Sequence, residues 1–220
     1  EFSDVIDEGV IKSLDELQIR AVKTALQRDL LLLTGGPGTG KTRTIVGILV
    51  AQLQKNPDTR IALAAPTGKA AFRMKESVLR AMESFELSEE IRSALLDCSR
   101  ATTLHRLLES KIGTVDFRRN KENPLPHDLV VVDEASMVDL PLMAKLCSSL
   151  RNESKLVLIG DADQLAPVQG GAVFNGLIKA TEATDQLSEN FVRLTVNHRR
   201  SNSPAAAILS DLCDAICDGE

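Results

Sequence analysis

Tryptophan and tyrosine are missing from this chain, and phenylalanine occurs only six times. Stacking of bases on aromatic faces is therefore largely closed to it, and any grip on nucleic acid has to rest mainly on backbone contacts. Cysteine is scarce and scattered: Cys98, Cys147, Cys213 and Cys217. Cys213 and Cys217 would share a helix face, but no paired Cys or His motif lies near them. Buried, reduced thiols are expected, rather than a metal site. No apolar run approaches the ~20 residues of a membrane span. The opening EFSDVIDEG is acidic and has no signal-peptide core, so a cytoplasmic protein without a membrane partner is expected. Internal repeats and low-complexity tracts are lacking too. A net charge of −5 argues against a generic nucleic-acid binder but leaves room for a concentrated basic track.

What is present is the pattern of an α/β protein. With 220 residues, 43% of them hydrophobic, the chain can hold one large domain, or one domain and part of another. Four short apolar runs, at 30–33, 60–65, 129–132 and 156–159, read as buried strands, and a fifth run covers 191–196. Longer stretches with helical spacing separate them, which points to a parallel sheet covered on both faces. The first long helix is expected to start with a capping box of Ser13 and Glu16, followed by an apolar stripe of Leu14, Leu17, Ala21, Val22 and Ala25. The acidic stretch 83–97 reads as a solvated helix. Residues 110–128 hold Lys111, Arg118, Arg119 and Lys121 and then two prolines, and read as an inserted hairpin or loop.

The run GGPGTGKT, Gly35 to Thr42, follows a strand and opens a helix, which is the setting a phosphate-binding loop requires. Gly36, Pro37, Gly38, Thr39 and Gly40 turn backbone N–H groups inward, and the helix N-terminus adds a favourable dipole. Lys41 would reach the β- and γ-phosphates of ATP, and the Thr42 hydroxyl would hold magnesium. Arg43 is placed with the nucleotide contacts. The strand in LVVVDEAS ends in Asp133, positioned for magnesium, and Glu134, positioned to orient or deprotonate an attacking water.

A small-molecule kinase needs little more, yet the chain has further polar clusters at strand ends. The helix in LDELQIRAV carries Gln18, whose amide could read adenine. In APTGKAA, Pro66 ends a strand and Thr67, Gly68 and Lys69 start a helix, a combination suited to a phosphate. With the ATP phosphates provided for, the nucleic-acid backbone is the expected occupant. ATTLHRLL is similar, although a threonine there can simply cap its helix. IGDADQLAP ends a strand expected to neighbour the one ending in Asp133. That places Gln164 at the γ-phosphate and Asp161 in the magnesium and water shell, with Asp163 accounted for by an ordinary Asx turn.

In order, the chain reads LDELQ, GGPGTGKT, APTGKAA, TTLHRLL, VVVDEASMVD, IGDADQLAPV and NHRRS. From about residue 13 onward it resembles superfamily 1 helicases, and most closely the RecD family, the alpha chain of bacterial exodeoxyribonuclease V. The resemblance implies a P-loop NTPase with a RecA-like parallel sheet flanked by helices. The first RecA-like domain would cover 1–187, with the small insertion at 110–128, and a second would begin at 188–220. Gln18 then matches the adenine-reading glutamine, Lys41 and Thr42 the phosphate and magnesium residues, and Asp133 and Glu134 the metal and water residues. Pro66, Thr67, Lys69, Thr103 and His105 lie in motifs that touch single-stranded DNA, and Arg199 matches an arginine that reaches the γ-phosphate. The 110–128 segment sits where the family inserts a hairpin that helps split the duplex in stand-alone relatives.

The resemblance further implies a bacterial 5′→3′ DNA helicase or translocase subunit that uses ATP and magnesium. It would act on single-stranded or tailed duplex DNA in double-strand break repair and recombination, beside the beta and gamma chains. Measured against the family, the sequence is expected to be an ATPase-core portion with weak turnover by itself. It starts after the region that docks onto the gamma chain, and Glu220 falls shortly after the arginine motif. Other readings are a stand-alone or relaxase-linked helicase of the same kind, a P-loop small-molecule kinase, and a module that binds ATP without turnover.

Overall fold

The computed structural model describes residues 8–111, 113–162 and 173–196. In chain order these form α1 (Glu8–Lys12), α2 (Glu16–Gln27), β1 (Leu30–Gly35), α3 (Lys41–Lys55), β2 (Ile61–Ala65), α4 (Gly68–Met82), α5 (Glu89–Cys98) and β3 (Thr102–Thr103). They continue with α6 (Leu104–Leu107), β4 (Leu129–Val132), α7 (Leu140–Ser148), β5 (Lys155–Gly160), α8 (Val173–Ala183), α9 (Asp185–Ser188) and β6 (Phe191–Leu194). The strands make one parallel sheet in the order β3-β2-β4-β5-β1-β6.

Strand periodicity decides what each face buries. Leu31 and Leu33 of β1, Leu129 and Val131 of β4, and Val157 and Ile159 of β5 pack with residues of α2, α3, α4 and α5. Their neighbours Leu32, Val130, Val132, Leu156 and Leu158 pack on the other side, with Leu104, Leu142, Leu146, Phe174 and Ile178 of α6, α7 and α8. Each fully buried leucine contributes about 1.5–3 kcal/mol. Because both faces are covered, the strands read in sequence as unbroken apolar runs.

The structure corrects several expectations. The cap of α2 is Asp15, not Ser13: its carboxylate accepts from Gln18 N at 2.8 Å, and Gln18 Oε1 accepts from Asp15 N at 3.1 Å. Ser13 belongs to the preceding turn, where its hydroxyl donates to Val10 O at 2.8 Å. The acidic stretch is no single helix, since α4 runs to Met82 and α5 starts afresh after its Ser88 cap. Thr102–Thr103 is a short strand paired with Ala64 and Ala65, too brief for periodicity to reveal. The boundary expected after residue 187 falls inside the sheet, because β6 pairs with β1 along 191–194. Cys98 is half-buried and Cys147 exposed, so neither is a core thiol; Cys213 and Cys217 lie outside the described residues.

Within 110–128, Ser110 and Phe117 form an antiparallel bridge, and Arg118 N donates to Glu109 O at 3.0 Å, making a short hairpin. The chain then returns to the body through buried Leu125, whose N–H donates to Ser149 O at 2.7 Å.

Two polar staples fix the lower end of the sheet, where its central strands begin. Asp128, just before β4, accepts from Arg60 N (2.8 Å), Arg60 Nε (3.3 Å) and Arg151 Nη2. Burial raises the Asp128 carboxyl, but the hydrogen bonds from Arg60 and Arg151 outweigh it and hold the group at about 2. Lys155, at the start of β5, donates to the carbonyls of Ala25, Leu26 and Arg28, each at 3.0 Å. That ammonium satisfies carbonyls left over at the C-terminal end of α2.

Candidate active site

The opposite, C-terminal end of the sheet collects the sequence motifs, as an open parallel sheet requires. Central in it is β5, paired to β4 on one side and β1 on the other, so the strand ending at Gly160 does neighbour the one before Asp133. Thr34 of β1 holds the exit of β5, its hydroxyl accepting from Ala162 N at 2.9 Å.

Between β1 and α3 the chain makes a tight loop. Gly38 and Gly40 both have φ +86°, a conformation that side-chain-bearing residues rarely adopt. Thr39 Oγ1 donates to Gly36 O at 2.9 Å and braces the loop from within. Gly35 is packed so closely that a Cβ would stand 2.5 Å from Thr39 Oγ1 and 3.0 Å from the Leu194 Cβ. Lys41 opens α3 and donates back to the carbonyls of Gly35 and Gly36, which keeps its ammonium over the loop. Arg43, two residues further on, donates from Nε to Ser13 O at 2.7 Å and lies 5.3 Å from the centre of the Phe85 ring, a cation–π contact.

Asp133 and Glu134 follow β4. Glu134 has φ +53° and ψ +39°, a left-handed conformation that costs on the order of 1 kcal/mol for a non-glycine residue. Its N–H donates to Asp133 Oδ1 at 2.9 Å. Burial pushes the Asp133 carboxyl up to about 6, with the Glu134 charge adding to the rise and the Glu134 N–H and Lys41 opposing it. Asp133 is thus a partly desolvated carboxylate short of positive charge, an environment that gains from a cation. Among the described residues no group of three or more His, Cys, Asp or Glu is arranged to hold a metal ion. Magnesium suits such a site, since it is commonly held through one or two carboxylates together with substrate phosphates.

One cavity of about 720 Å³ joins these parts, lined by Gly36, Pro37, Gly38, Gly40, Lys41, Thr42, Arg43, Thr67, Lys69, Asp133 and Glu134 among others. Ligand pockets commonly measure about 300–1,000 Å³. Thr67 caps α4, its hydroxyl accepting from Ala70 N at 3.2 Å, and Lys69 is exposed at the helix start. Thr39 is buried beneath the loop.

Other expected residues lie around the cavity rather than in its lining. Gln18 is 1% exposed, its amide engaged with Asp15 and with Thr39 O at 3.5 Å, so it braces the loop from behind. Pro66 is half-buried between β2 and α4. Thr103 caps α6 by accepting from Arg106 N at 3.2 Å, and exposed His105 stands 5.7 Å from the Phe117 ring of the hairpin. Pairing of β2 with β3 puts Pro66–Thr67 and Thr103 at adjacent strand ends. Asp161 is buried at the end of β5. Gln164, Arg199 and Asp163 lie outside the described residues.

The sequence reading missed Arg73, Ser77, Arg80, Ser84 and Met137, which also line the cavity. The signal was there in part: residues 69, 73, 77, 80 and 84 recur at helical spacing.

A family model described as an AAA domain matches residues 18–170. The RecBCD enzyme subunit RecD of Mycobacterium tuberculosis is 43% identical over 208 residues, 92% of this chain and 34% of that protein. The ATP-dependent RecD2 DNA helicase of Deinococcus radiodurans is 36% identical over 185 residues, 81% of this chain and 23% of that protein. Among solved structures, the Pif1 helicase from Candida albicans covers 94% of this chain with a TM-score of 0.54 and 21% identity, over 44% of its own length. At that identity the likeness bears on the fold alone. The chain spans about a third of the length of the mycobacterial RecD subunits it matches. By the family model and by these RecD relatives together, the chain belongs to the AAA-domain family and, within it, to the RecD group.

Proposed function

We propose that this chain is the ATPase core of a DNA-translocating helicase of the RecD type, moving 5′→3′ on single-stranded or tailed duplex DNA. The observation that carries the reading is the shared cavity. Lys41 and Thr42 of the phosphate loop, the Asp133–Glu134 pair, and Thr67 and Lys69 of the next strand end all line it. A kinase acting on a small molecule needs only the first two sets, whereas a motor must connect nucleotide state to a second polymer.

In this account Lys41 leaves the loop carbonyls for the β- and γ-phosphates, and the Gly36–Gly40 backbone with the α3 N-terminus holds the rest of the chain of phosphates. Thr42 and Asp133 are the residues that would hold magnesium, which when bound neutralises phosphate charge. Glu134 orients the attacking water and takes its proton, and its strained backbone fixes the carboxylate direction. Buried Asp161 supports the water shell, with Gln164 and Arg199 at the γ-phosphate. Gln18 positions the loop and offers its amide toward the base. Thr67 and Lys69, with Pro66, Thr103 and His105 at the neighbouring strand end, take the DNA backbone.

The likeness to RecBCD subunits supports the same work in double-strand break repair, in a bacterial cytoplasm beside beta and gamma chains. The 36% identity to a RecD2 helicase supports a second reading, action without those partners. Binding of magnesium-ATP by wild type and Lys41→Ala tests the core claim: the variant should lose affinity by at least tenfold. Unwinding of duplexes tailed at 5′ or 3′ tests direction, with preference for the 5′ tail expected. Retained binding by the variant removes the phosphate-loop assignment, and a 3′ preference removes the direction.

A further inference from the structure

The cavity reaches well beyond the phosphate loop, along one face of α4. Lys69, Arg73, Ser77 and Arg80 all line it. At 3.6 residues per turn, these four fall within an arc of about 80°, and the three cations span roughly 16 Å along the axis. Their spacing makes the face a single stripe, and this exposed stripe borders the same cleft as the phosphate loop.

Its electrostatics need a partner. Among the described residues the lining carries Lys41, Arg43, Lys69, Arg73 and Arg80 against Asp133 and Glu134, in a chain whose net charge is −5. Lys69 and Arg73 stand at i and i+4, where like charges repel. Glu76 is the one acid of α4, three residues after Arg73 and four before Arg80, well placed to neutralise either. Yet no ion pair joins Glu76 to either arginine, whereas Arg60, Arg119 and Arg151 each hold a carboxylate elsewhere in the described residues. The arginines of this wall therefore keep their guanidinium donors for an anionic ligand. A guanidinium offers a planar fork of donors that matches phosphate oxygens.

Two anions compete for the role, the nucleotide and the DNA backbone. Of the residues assigned to DNA, Thr67 and Lys69 border the cavity and Thr103 and His105 do not, whereas Lys41, Thr42, Asp133 and Glu134 of the nucleotide site all line it. We infer that the α4 face of Arg73 and Arg80 is a second wall of the nucleotide site, which binds the phosphate chain of the nucleotide from the side opposite the phosphate loop. This assignment rests on the reading that the loop holds ATP. It adds two binding residues supplied by the same domain as the loop, so nucleotide affinity is largely set before any other part of the protein closes over the site.

The test measures affinities of the chain for a fluorescent ATP analogue with magnesium, for inorganic tripolyphosphate as competitor, and for a labelled single-stranded oligonucleotide. It compares wild type with Arg73→Ala, Arg80→Ala, Lys41→Ala and the control Arg100→Ala, which removes an exposed charge away from the cavity. Hydrogen bonds to charged groups are of a size that predicts a ten- to hundredfold loss of both nucleotide and tripolyphosphate affinity for each α4 variant. The control should stay within twofold, and the α4 variants should bind the oligonucleotide as the control does. Folding is not at risk, because both arginines are exposed. Nucleotide affinity within twofold of wild type in both α4 variants overturns the inference, as does a loss confined to the oligonucleotide, which would assign the wall to DNA. If Lys41→Ala also keeps its affinity, the phosphate-loop reading has failed instead. A wild-type chain that binds no nucleotide sinks both.

Discussion

Replacing Asp128 by asparagine separates what holds the sheet together from what works at its other end. Asp128 is held at about 2, against an ordinary carboxyl value of 3.8. A shift of that size corresponds to about 2.5 kcal/mol in favour of the folded state at neutral pH. The side chain is 38% exposed, so solvent screening reduces the figure, and about 1 kcal/mol is the expected net loss. Because the folded value lies below the unfolded one, the contribution is fully present above about pH 4 and disappears as pH falls from 4 toward 2. Urea unfolding at pH 7 and pH 3 measures it. The variant should be less stable at pH 7, and the gap to wild type should narrow at pH 3. Arg60, Asp128 and Arg151 sit where the central strands begin, and the nucleotide cavity opens where they end, so magnesium-ATP affinity should not change. No stability difference at pH 7, a gap that widens in acid, or a matching loss of nucleotide affinity would refute the reasoning.

Two other substitutions test the framework from different sides. Lys155→Met removes the ammonium from the carbonyls of Ala25, Leu26 and Arg28, and should cost about 1–3 kcal/mol in urea unfolding, with exchange of the last α2 amides accelerated first. Gly35→Ala drives a methyl group against Thr39 Oγ1 and the β6 backbone; it should cost about 1–3 kcal/mol and lower ATP affinity by calorimetry, because the loop itself is displaced.

How much of this was legible in the sequence depended on whether the signal was local. The strand at Leu129–Val132 and the loop–helix junction at Lys41 are written in contiguous residues, and the structure has them where the sequence put them. The cap of α2 was misplaced because Ser13–Glu16 and Asp15–Gln18 both fit a capping pattern, and only the preceding turn, which engages Ser13, decides between them. Gln18 reads in the sequence as an adenine contact, and its burial against Thr39 O follows only from the packing of α2 on the phosphate loop. The strand at Phe191–Leu194 was assigned beyond the first domain because nothing in its own residues names β1 as its partner. Arg73 and Arg80 were passed over for a related reason. Their spacing was visible, but a cation stripe on a helix commonly faces solvent, and only the packed helix shows it facing the cavity.

The most direct test of the central claim is DNA-stimulated ATP turnover by the whole protein that carries this chain, with wild type compared to Glu134→Gln. The account predicts that single-stranded DNA accelerates wild-type turnover, while the variant binds ATP and DNA as before and turns over at least a hundredfold more slowly. Turnover indifferent to DNA, or a Glu134→Gln protein that still hydrolyses ATP at the wild-type rate, would contradict it.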